Sequence, residues 1–307
     1  MDAVVVEGTA ARPANLWRDT AANILRQRNA IVGLTILVIL VLVALFADQL
    51  AQWAPDTVLL DKEDGVRKLM PPCVHALGCA PTVPEHFLGT DTNVRDVWSR
   101  VIHGARISLQ IGFITVGFAI VLGSVIGAVS GFVGRWVDNV VMRFMDVILA
   151  FPALLLAILI VTVLGSGIVN AQLAIGIVAI PVYARIMRAS VLSVKGQDYV
   201  TATRALGASE PSILLRRVIP NALTPIVVAG TLDIGGAVLN VAALSFLGIG
   251  AQPPLAEWGS MIGLERGQLF NAPWLIFAPG IALAFTVFGF NLLGDGLRDA
   301  LDPRLNR

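Results

Sequence analysis

The sequence predicts an all-α, polytopic membrane protein with six transmembrane helices. Three observations predict this fold class: long runs without a charged residue, a low overall charge, and basic residues that gather in alternate loops. Of the 307 residues, 56% are hydrophobic and 14% are charged, and that charged fraction is about half that of a soluble domain. A soluble globule of this size could not hide so much apolar surface, so we interpret the long runs as membrane spans.

The first span is predicted at residues 30–47. Residues 1–29 form a polar leader with four arginines, which we expect to be cytoplasmic. The following run has no charge for 18 residues, and as a helix it would measure roughly 27 Å, close to the thickness of the hydrocarbon core. Because no small-residue cleavage site follows the run, we expect it to remain as a membrane anchor.

Residues 48–106 form a long mixed segment that we expect outside the membrane. Its last part has apolar residues at helical spacing, with Thr92 available as an N-cap: Val94, Val97, Trp98, Val101 and Ile102. This pattern predicts an amphipathic helix on the outer membrane surface. A small packed cap over the spans is the alternative, and the sequence does not decide between them.

The only two cysteines lie in the same segment. Cys73 and Cys79 are six residues apart, and His75 lies between them without a second Cys or His pair to complete a zinc site. They could form a disulfide that closes a small surface loop, or they could be two free thiols.

Five further spans are predicted within residues 107–294. The uncharged run 107–133 forms span two, and its glycines at every fourth position suit close helix packing: Gly123, Gly127 and Gly131. A polar link at 134–146 follows it. The next uncharged run, 147–184, covers 38 residues and would measure about 57 Å as one helix. We therefore place a turn at 165–167, between spans three and four.

Spans five and six complete the predicted set. Span five begins at Val218 and ends near Gly250, and span six covers 267–294, before a cytoplasmic tail at 295–307. Three prolines are expected to kink their spans, and they are Pro152, Pro181 and Pro279. The predicted inner segments hold most of the arginines, and the short outer loops hold only Arg266 among bases. By the positive-inside rule, both termini lie in the cytoplasm.

The largest predicted cytoplasmic feature is a polar island at residues 185–221. It is rich in bases, namely Arg185, Arg188, Lys195, Arg204, Arg216 and Arg217. Gly207, Ala208 and Ser209 interrupt its helical pattern, and Pro220 is expected to end it. The pattern predicts two short helices with a bend, at 199–206 and about 210–218, and with Ser209 as the second N-cap.

Asp233 is the only ionisable residue deep in a predicted span. A carboxylate at that depth is costly unless it faces a cavity or a partner, so Asp233 is a candidate for the substrate path. Asn240 lies two turns further along and close to the same face, and it is a second candidate. The structural alternative for Asp233 is a hydrogen bond to a neighbouring helix.

No catalytic or nucleotide-binding motif occurs in the sequence. The chain has no P-loop, no H-E-x-x-H and no nucleophile elbow. All three histidines lie in the outer segment, so an active site within the membrane would have few bases. We therefore predict a non-catalytic subunit with no catalytic residue, metal site or bound cofactor.

The island resembles the cytoplasmic coupling loop of bacterial ABC-importer permeases. The resemblance rests on the stretch DYVTATRALGA at 198–208 and on Ile219-Pro220-Asn221. Ala202, Gly207 and Pro220 match the family pattern, whereas Thr201, Thr203 and Arg217 depart from it. The resemblance implies that the ATPase contacts come from the following residues: Tyr199, Thr201, Ala202, Arg204, Gly207, Ala208 and Pro220. The alternative is an ordinary loop that is basic only because it lies inside.

Further stretches resemble the C-type permease subunit of dipeptide and oligopeptide importers. They include GTD at 89–91, RDV at 95–97, LSFLG at 244–248, QPP at 252–254 and NLLGDGLRD at 291–299. Val94 departs from the pattern, because the family usually has glycine there, and we expect it to stiffen the surface helix. The resemblance covers nearly the whole chain from span one to the tail.

This resemblance implies a type I ABC-importer permease in a bacterial inner membrane. The implied partners are a homologous permease that completes a heterodimer, two ABC ATPases or a fused pair, and an extracytoplasmic peptide-binding protein. ATP and Mg²⁺ would bind the ATPases, and this chain would contact lipid but no nucleic acid. The cargo would be di- or oligopeptides, with nickel, haem or glutathione as alternatives. An ion-coupled carrier or channel is a further alternative, for which neither paired broken helices nor an inverted repeat is evident.

Overall fold

A computed structural model describes residues 27–301. This part of the chain is mostly helical, with isolated β-bridges in place of strands. The helices are α1 (Arg28–Leu45), α2 (Ala47–Leu50), α3 (Val97–Val133), α4 (Arg135–Leu149), α5 (Ala153–Leu164), α6 (Ile168–Lys195), α7 (Asp198–Ala205), α8 (Glu210–Ile213), α9 (Ile219–Ala222), α10 (Thr224–Phe246), α11 (Trp258–Glu265) and α12 (Trp274–Leu301). Most of the predicted leader and the last six residues of the tail lie outside the described residues.

Five of these helices are long and apolar enough to cross a membrane. They are α1, α3, α6, α10 and α12. The pair α4 and α5 passes the same test together, but its two halves meet at an angle of 91°. Counted as one broken span, this pair is the sixth, and the all-α, six-span fold class is confirmed.

The prediction of a separate surface helix that begins at Thr92 is wrong. Helix α3 begins at Val97 and continues to Val133 without a break. Its N-cap is Asp96, whose carboxylate accepts a hydrogen bond from the Ser99 backbone N–H at 2.7 Å. Of the apolar residues that suggested a surface helix, Val97 and Ile102 are buried in the first turns of span two, at 1% and 5% exposed, and Val94 lies before the helix begins.

The outer segment before α3 forms a small cap with its own apolar cluster. Leu59, Val66, Met70 and Val94 are buried together, and Cys73 and Cys79 are joined by a disulfide. Val94 has a φ of +57°, in the left-handed region that glycine adopts freely and a β-branched residue rarely does. The expectation that Val94 stiffens a helix is therefore wrong, because it occupies a turn in which glycine would be unstrained.

The polar link predicted at 134–146 is instead the helix α4. It ends at Leu149 and the chain bends before α5 begins at Ala153. Pro152 explains the break, since it has no N–H to donate and disfavours a helical conformation at Phe151. By contrast, Pro181 and Pro279 lie inside the continuous helices α6 and α12.

The last two spans are displaced from their predicted limits. Helix α10 begins at Thr224, and the preceding residues from 218 belong to a separate set of short turns. Helix α12 covers Trp274–Leu301, several residues further along than the predicted 267–294. The polar residues at its end extend the helix beyond the uncharged run, so hydropathy alone placed the span too early.

Glycine allows α3 and α6 to pack closely. A Cβ added at Gly123 would lie 2.6 Å from the Tyr183 Cβ, and one added at Gly127 would lie 2.2 Å from the Ala184 carbonyl oxygen. Such separations are far below van der Waals contact, so only glycine fits these positions without moving a helix. The predicted small-residue ladder therefore lies at the α3–α6 interface.

We predict that Gly127→Ala destabilises the protein by about 1–3 kcal/mol, the usual range for overpacking. The new methyl group would collide with the backbone of α6, which cannot rotate away. Gly117→Ala is the matched control, because a Cβ at Gly117 in the same helix meets nothing within 4 Å. Thermal unfolding of the detergent-solubilised protein should show a lower Tm for the first variant alone. Equal Tm values would contradict the assigned packing.

Candidate coupling loop and membrane cavity

The first part of the polar island belongs to a span rather than to a loop. Helix α6 continues to Lys195, so Arg185 and Arg188 lie on its last turns. Arg188 forms a bidentate ion pair with Asp138 of α4, in which its Nε and Nη2 atoms each lie 2.5 Å from a carboxylate oxygen. Arg185 pairs with Asp146 of the same helix at 2.5 Å. These arginines therefore join α6 to α4, and the loop proper begins after Lys195.

The loop contains two helical segments joined by a tight bend. Helix α7 ends at Ala205, and Gly207 at the bend has a φ of +86° with open space around its Cβ position. Arg204 donates two hydrogen bonds to Glu210 across the bend, at 2.6 and 2.9 Å. This guanidinium holds the pKa of the Glu210 carboxyl below its usual value. The bend at Gly207 therefore closes a compact hairpin of helices.

One face of this hairpin is buried against the spans. Val200, Ile213 and Val218 are each 0% exposed, and they belong to the same apolar cluster as Met187 of α6 and Phe132 of α3. Burial of this kind fixes the loop to the ends of two spans. The loop therefore moves only if these helices move or if the cluster opens.

The opposite face is exposed and combines polar and apolar groups. Leu206 is 88% exposed at the tip of the hairpin and Tyr199 is 40% exposed. Of the other residues that the resemblance assigned to the ATPase contact, Ala208 is half-buried. The remaining five are exposed, and they are Thr201, Ala202, Arg204, Gly207 and Pro220. The structure thus brings most of these residues to the surface.

Ser209 holds the predicted N-cap position of α8, although its side chain makes no capping bond. Two other details of the predicted loop are wrong. Pro220 does not end the helical segment, because it lies in the first turn of α9 (Ile219–Ala222), where the missing N–H leaves no bond unmade. The second predicted helix is also shorter, since it passes into a π-type turn at Leu214–Val218.

Asp233 and Asn240 line one cavity within the membrane-spanning part. The cavity has a volume of about 190 Å³ and is otherwise mainly apolar. Tyr183 of α6 is fully buried and donates a hydrogen bond to the Asp233 Oδ2 atom at 2.8 Å. The alternative expected for Asp233, a hydrogen bond to a neighbouring helix, is therefore present at Oδ2. The same carboxylate also lines the cavity.

The cavity walls come from four of the spans. Helix α6 contributes the apolar wall around Val182, and α3 contributes Thr115, which is 2% exposed. The break between α4 and α5 contributes Phe151. The sequence reasoning missed Tyr183 and Thr115, because a single hydroxyl in an uncharged run resembles any other span residue.

Two buried acids, Glu257 and Glu265, lie at the two ends of α11. Glu257 caps α11 by accepting hydrogen bonds from the Gly259 and Ser260 N–H groups at 2.9 and 2.8 Å. Glu265, at the end of α11, accepts a hydrogen bond from the Thr92 hydroxyl at 2.7 Å. Burial raises the pKa of both carboxyl groups. The Thr92–Glu265 hydrogen bond joins the cap before α3 to the segment between α10 and α12.

Two family descriptions match the chain. Residues 109–307 match the binding-protein-dependent transport system inner membrane component. The chain belongs to this family. Residues 15–72 match the N-terminal transmembrane domain of oligopeptide transport permease C, so this permease also matches the C-type subunit within the family. It is a multi-pass protein of the inner membrane.

Curated relatives cover nearly the whole permease. The dipeptide transport system permease protein of Alkalihalophilus pseudofirmus is 39% identical over 94% of this chain and 90% of its own length. The di/tripeptide transport system permease protein of Pseudomonas aeruginosa is 41% identical over 94% and 91%. The glutathione transport system permease protein of Pectobacterium atrosepticum is 43% identical over 72% and 73%.

A solved structure shares the fold of this permease at low sequence identity. It shows inward-facing conformations of the MetNI methionine ABC transporter, with a TM-score of 0.52 and 20% identity. The match covers 66% of this chain and 96% of the solved chain. The permease architecture predicted from the resemblance is therefore confirmed at the level of the fold.

We predict unequal effects on stability for two apolar truncations in the loop. Val200→Ala should destabilise the permease by about 2 kcal/mol, because it leaves a cavity in a buried cluster. Leu206→Ala should change stability by less than about 0.5 kcal/mol, because that side chain is exposed. Thermal unfolding of the two purified variants tests this pair. A larger loss of stability from the Leu206 change would mean that the tip is buried.

Proposed function

We propose that this chain is the C-type permease subunit of an ATP-driven importer of di- and oligopeptides. In this role it lines the membrane path together with a second, homologous permease. Two ABC ATPases, separate or fused, hydrolyse ATP with Mg²⁺ in the cytoplasm, and a peptide-binding protein delivers cargo from outside. The chain itself carries out no catalysis and holds no cofactor, and both of its termini lie in the cytoplasm.

One observation carries the proposal: the loop connects α6 and α10, two of the four spans that line the Asp233 cavity. Helix α6 leads into the loop and provides the cavity wall around Val182, and α10 leaves the loop and provides Asp233 and Asn240. The buried face of the loop is attached to the same spans. A force applied to the exposed tip would therefore act on the cavity through two continuous helices.

The exposed composition of the tip suits a protein partner. Leu206 and Tyr199 offer apolar area, and the Arg204–Glu210 pair provides a polar rim. This combination of an apolar centre and a charged border is typical of specific protein interfaces. We place the ATPase contact here, at Tyr199, Thr201, Ala202, Arg204, Gly207, Ala208 and Pro220.

Glutathione is the second candidate cargo. The glutathione permeases are as similar to this chain as the dipeptide permeases are. Glutathione is itself a tripeptide, so the two candidates require the same kind of path. Competition between glutathione and a dipeptide for uptake would separate them.

The direct test reconstitutes the permease in proteoliposomes with its second permease, its ATPases and its binding protein. We expect uptake of a labelled dipeptide that requires ATP, Mg²⁺ and the binding protein together. Each component should be omitted in turn, and an ATPase variant that binds but cannot hydrolyse ATP serves as the control. Uptake by this chain alone under an ion gradient would contradict the proposal.

We predict that Gly207→Val uncouples ATP hydrolysis from uptake. A β-branched residue at a φ of +86° costs about 1–2 kcal/mol and would deform the bend. Peptide uptake per ATP hydrolysed should fall severalfold while membrane insertion is retained. Gly248→Val is the matched control, because Gly248 has a φ of +83° and open space but lies on the outer side. An equal effect of both changes would show that strain alone, and not the position of the loop, reduces coupling.

A further inference from the structure

Resting on the proposed function, we propose that Asp233 is an ionic subsite for the ammonium group of the transported peptide. The subsite consists of the carboxylate, the Asn240 amide and the Thr115 hydroxyl around one cavity. The cargo class is a solute with a free, positively charged amine. The proposal concerns recognition within the membrane path, separate from selection by the external binding protein.

The first argument is the missing counter-charge. Asp233 lies near the middle of α10, about 14 Å along the helix from its start. Among residues 27–301, no Lys, Arg or His forms an ion pair with it. An unpaired carboxylate at membrane depth is costly, so such a group normally faces water, a partner or a cargo. A cationic cargo would supply the charge that this chain lacks.

The second argument is the orientation of the carboxylate. The Tyr183 hydroxyl binds Oδ2 at 2.8 Å, which leaves the second oxygen, Oδ1, without a protein hydrogen bond in the described chain. Tyr183 is held in place by α3, where Gly123 lets the two helices approach at the Tyr183 Cβ. The tyrosine is therefore a positioning residue, and it fixes the carboxylate in one orientation beside the cavity.

The third argument is an unpartnered hydroxyl in the same cavity. Thr115 is only 2% exposed. Its Oγ1 atom is buried and has no hydrogen-bond partner within the described part of the chain. A buried polar group without a partner costs about 1–3 kcal/mol, so a bond from the cargo to Thr115 would recover that cost. A peptide backbone has N–H and C=O groups that suit both Thr115 and the Asn240 amide.

The size of the cavity fits a half-site. Its 190 Å³ is below the roughly 300–1,000 Å³ of a complete small-molecule site. In addition, Asp233 and Asn240 are exposed on the surface of this chain. A second permease facing the same surface would enclose the cavity and complete the site. The amine would then be held by this chain and the variable side chains by the wider path.

The test compares wild type with Asp233→Asn in the reconstituted complex. The cargo is alanyl-alanine, and the second cargo is its N-acetylated form, which has no charged amine. We expect uptake of alanyl-alanine to fall about ten- to a hundredfold, as for loss of a hydrogen bond to a charged group. Uptake of the acetylated form should change less than twofold. Because the binding protein is identical in both complexes, its own preference cancels in the ratio of wild type to variant.

If the acetylated peptide is not imported, a pH series tests the amine subsite instead. The ratio of wild-type to Asp233→Asn uptake of alanyl-alanine should be largest below the amine pKa, near 8. It should fall toward one as the amine loses its proton. The ratio of wild-type to Tyr183→Phe uptake should show the same dependence on pH but be smaller. Asp233→Glu should keep most of the uptake.

Four results would overturn the proposal. Equal loss for both cargoes, a ratio that does not change with pH, or no loss at all would each exclude an amine subsite. Loss of the second permease on copurification of Asp233→Asn would also exclude it, because the carboxylate would then pair with that subunit. Failure of the proposed function is distinguishable, since the wild-type complex itself would then show no ATP-dependent uptake.

Discussion

The close approach of α3 and α6 is the constraint on which the rest of the structure depends. Gly123 and Gly127 allow the two helix backbones to meet, and this contact fixes the position of Tyr183. Tyr183 in turn holds Asp233 of α10. The same helix α6 continues to the loop that carries the exposed tip. A single glycine-lined interface therefore sets both the geometry of the cavity and the anchoring of the loop.

The charged side chains within the spans of this protein are of two kinds, paired and unpaired. Towards the end of α6 that leads into the loop, Arg185 and Arg188 pair with Asp146 and Asp138 of α4, which ties the broken span to α6. At membrane depth Asp233 has a tyrosine, but no cation among residues 27–301 pairs with it. The contrast separates charges that join helices from a charge that is left for another molecule. It also explains why arginines in the polar island are of two kinds, those that join spans and those that lie on the exposed loop.

Most of the fold could be predicted from the sequence because uncharged runs and basic loops follow from the bilayer itself. The glycine ladder and the bend at Gly207 were also readable, since both depend on a property of glycine alone. The limits of the helices were not, because helices extend past the apolar region into water. Helix α3 begins ten residues before the uncharged run, and α12 continues to Leu301.

The candidate site could be predicted only in part, because sequence patterns do not show which helices pack together. Asp233 and Asn240 were evident as polar residues in a span, and Leu206 was not evident as the exposed tip. Tyr183 and Thr115 came only from the structure, because their roles depend on packing between helices that are distant in sequence. Val94 shows the reverse case: a departure from a glycine pattern marked a left-handed turn, and the sequence alone suggested a stiffer helix.

Because the buried face of the loop packs on α6, the loop and this helix should move as one rigid unit. The most direct measurement is the distance between spin labels on Leu206→Cys and Leu192→Cys in the assembled complex. Both positions are exposed, at 88% and 43%, and the two native cysteines are joined to each other. We expect the same distance with and without bound ATP. A distance that changes on ATP binding would contradict this expectation, because the loop would then move independently of the span that forms the cavity.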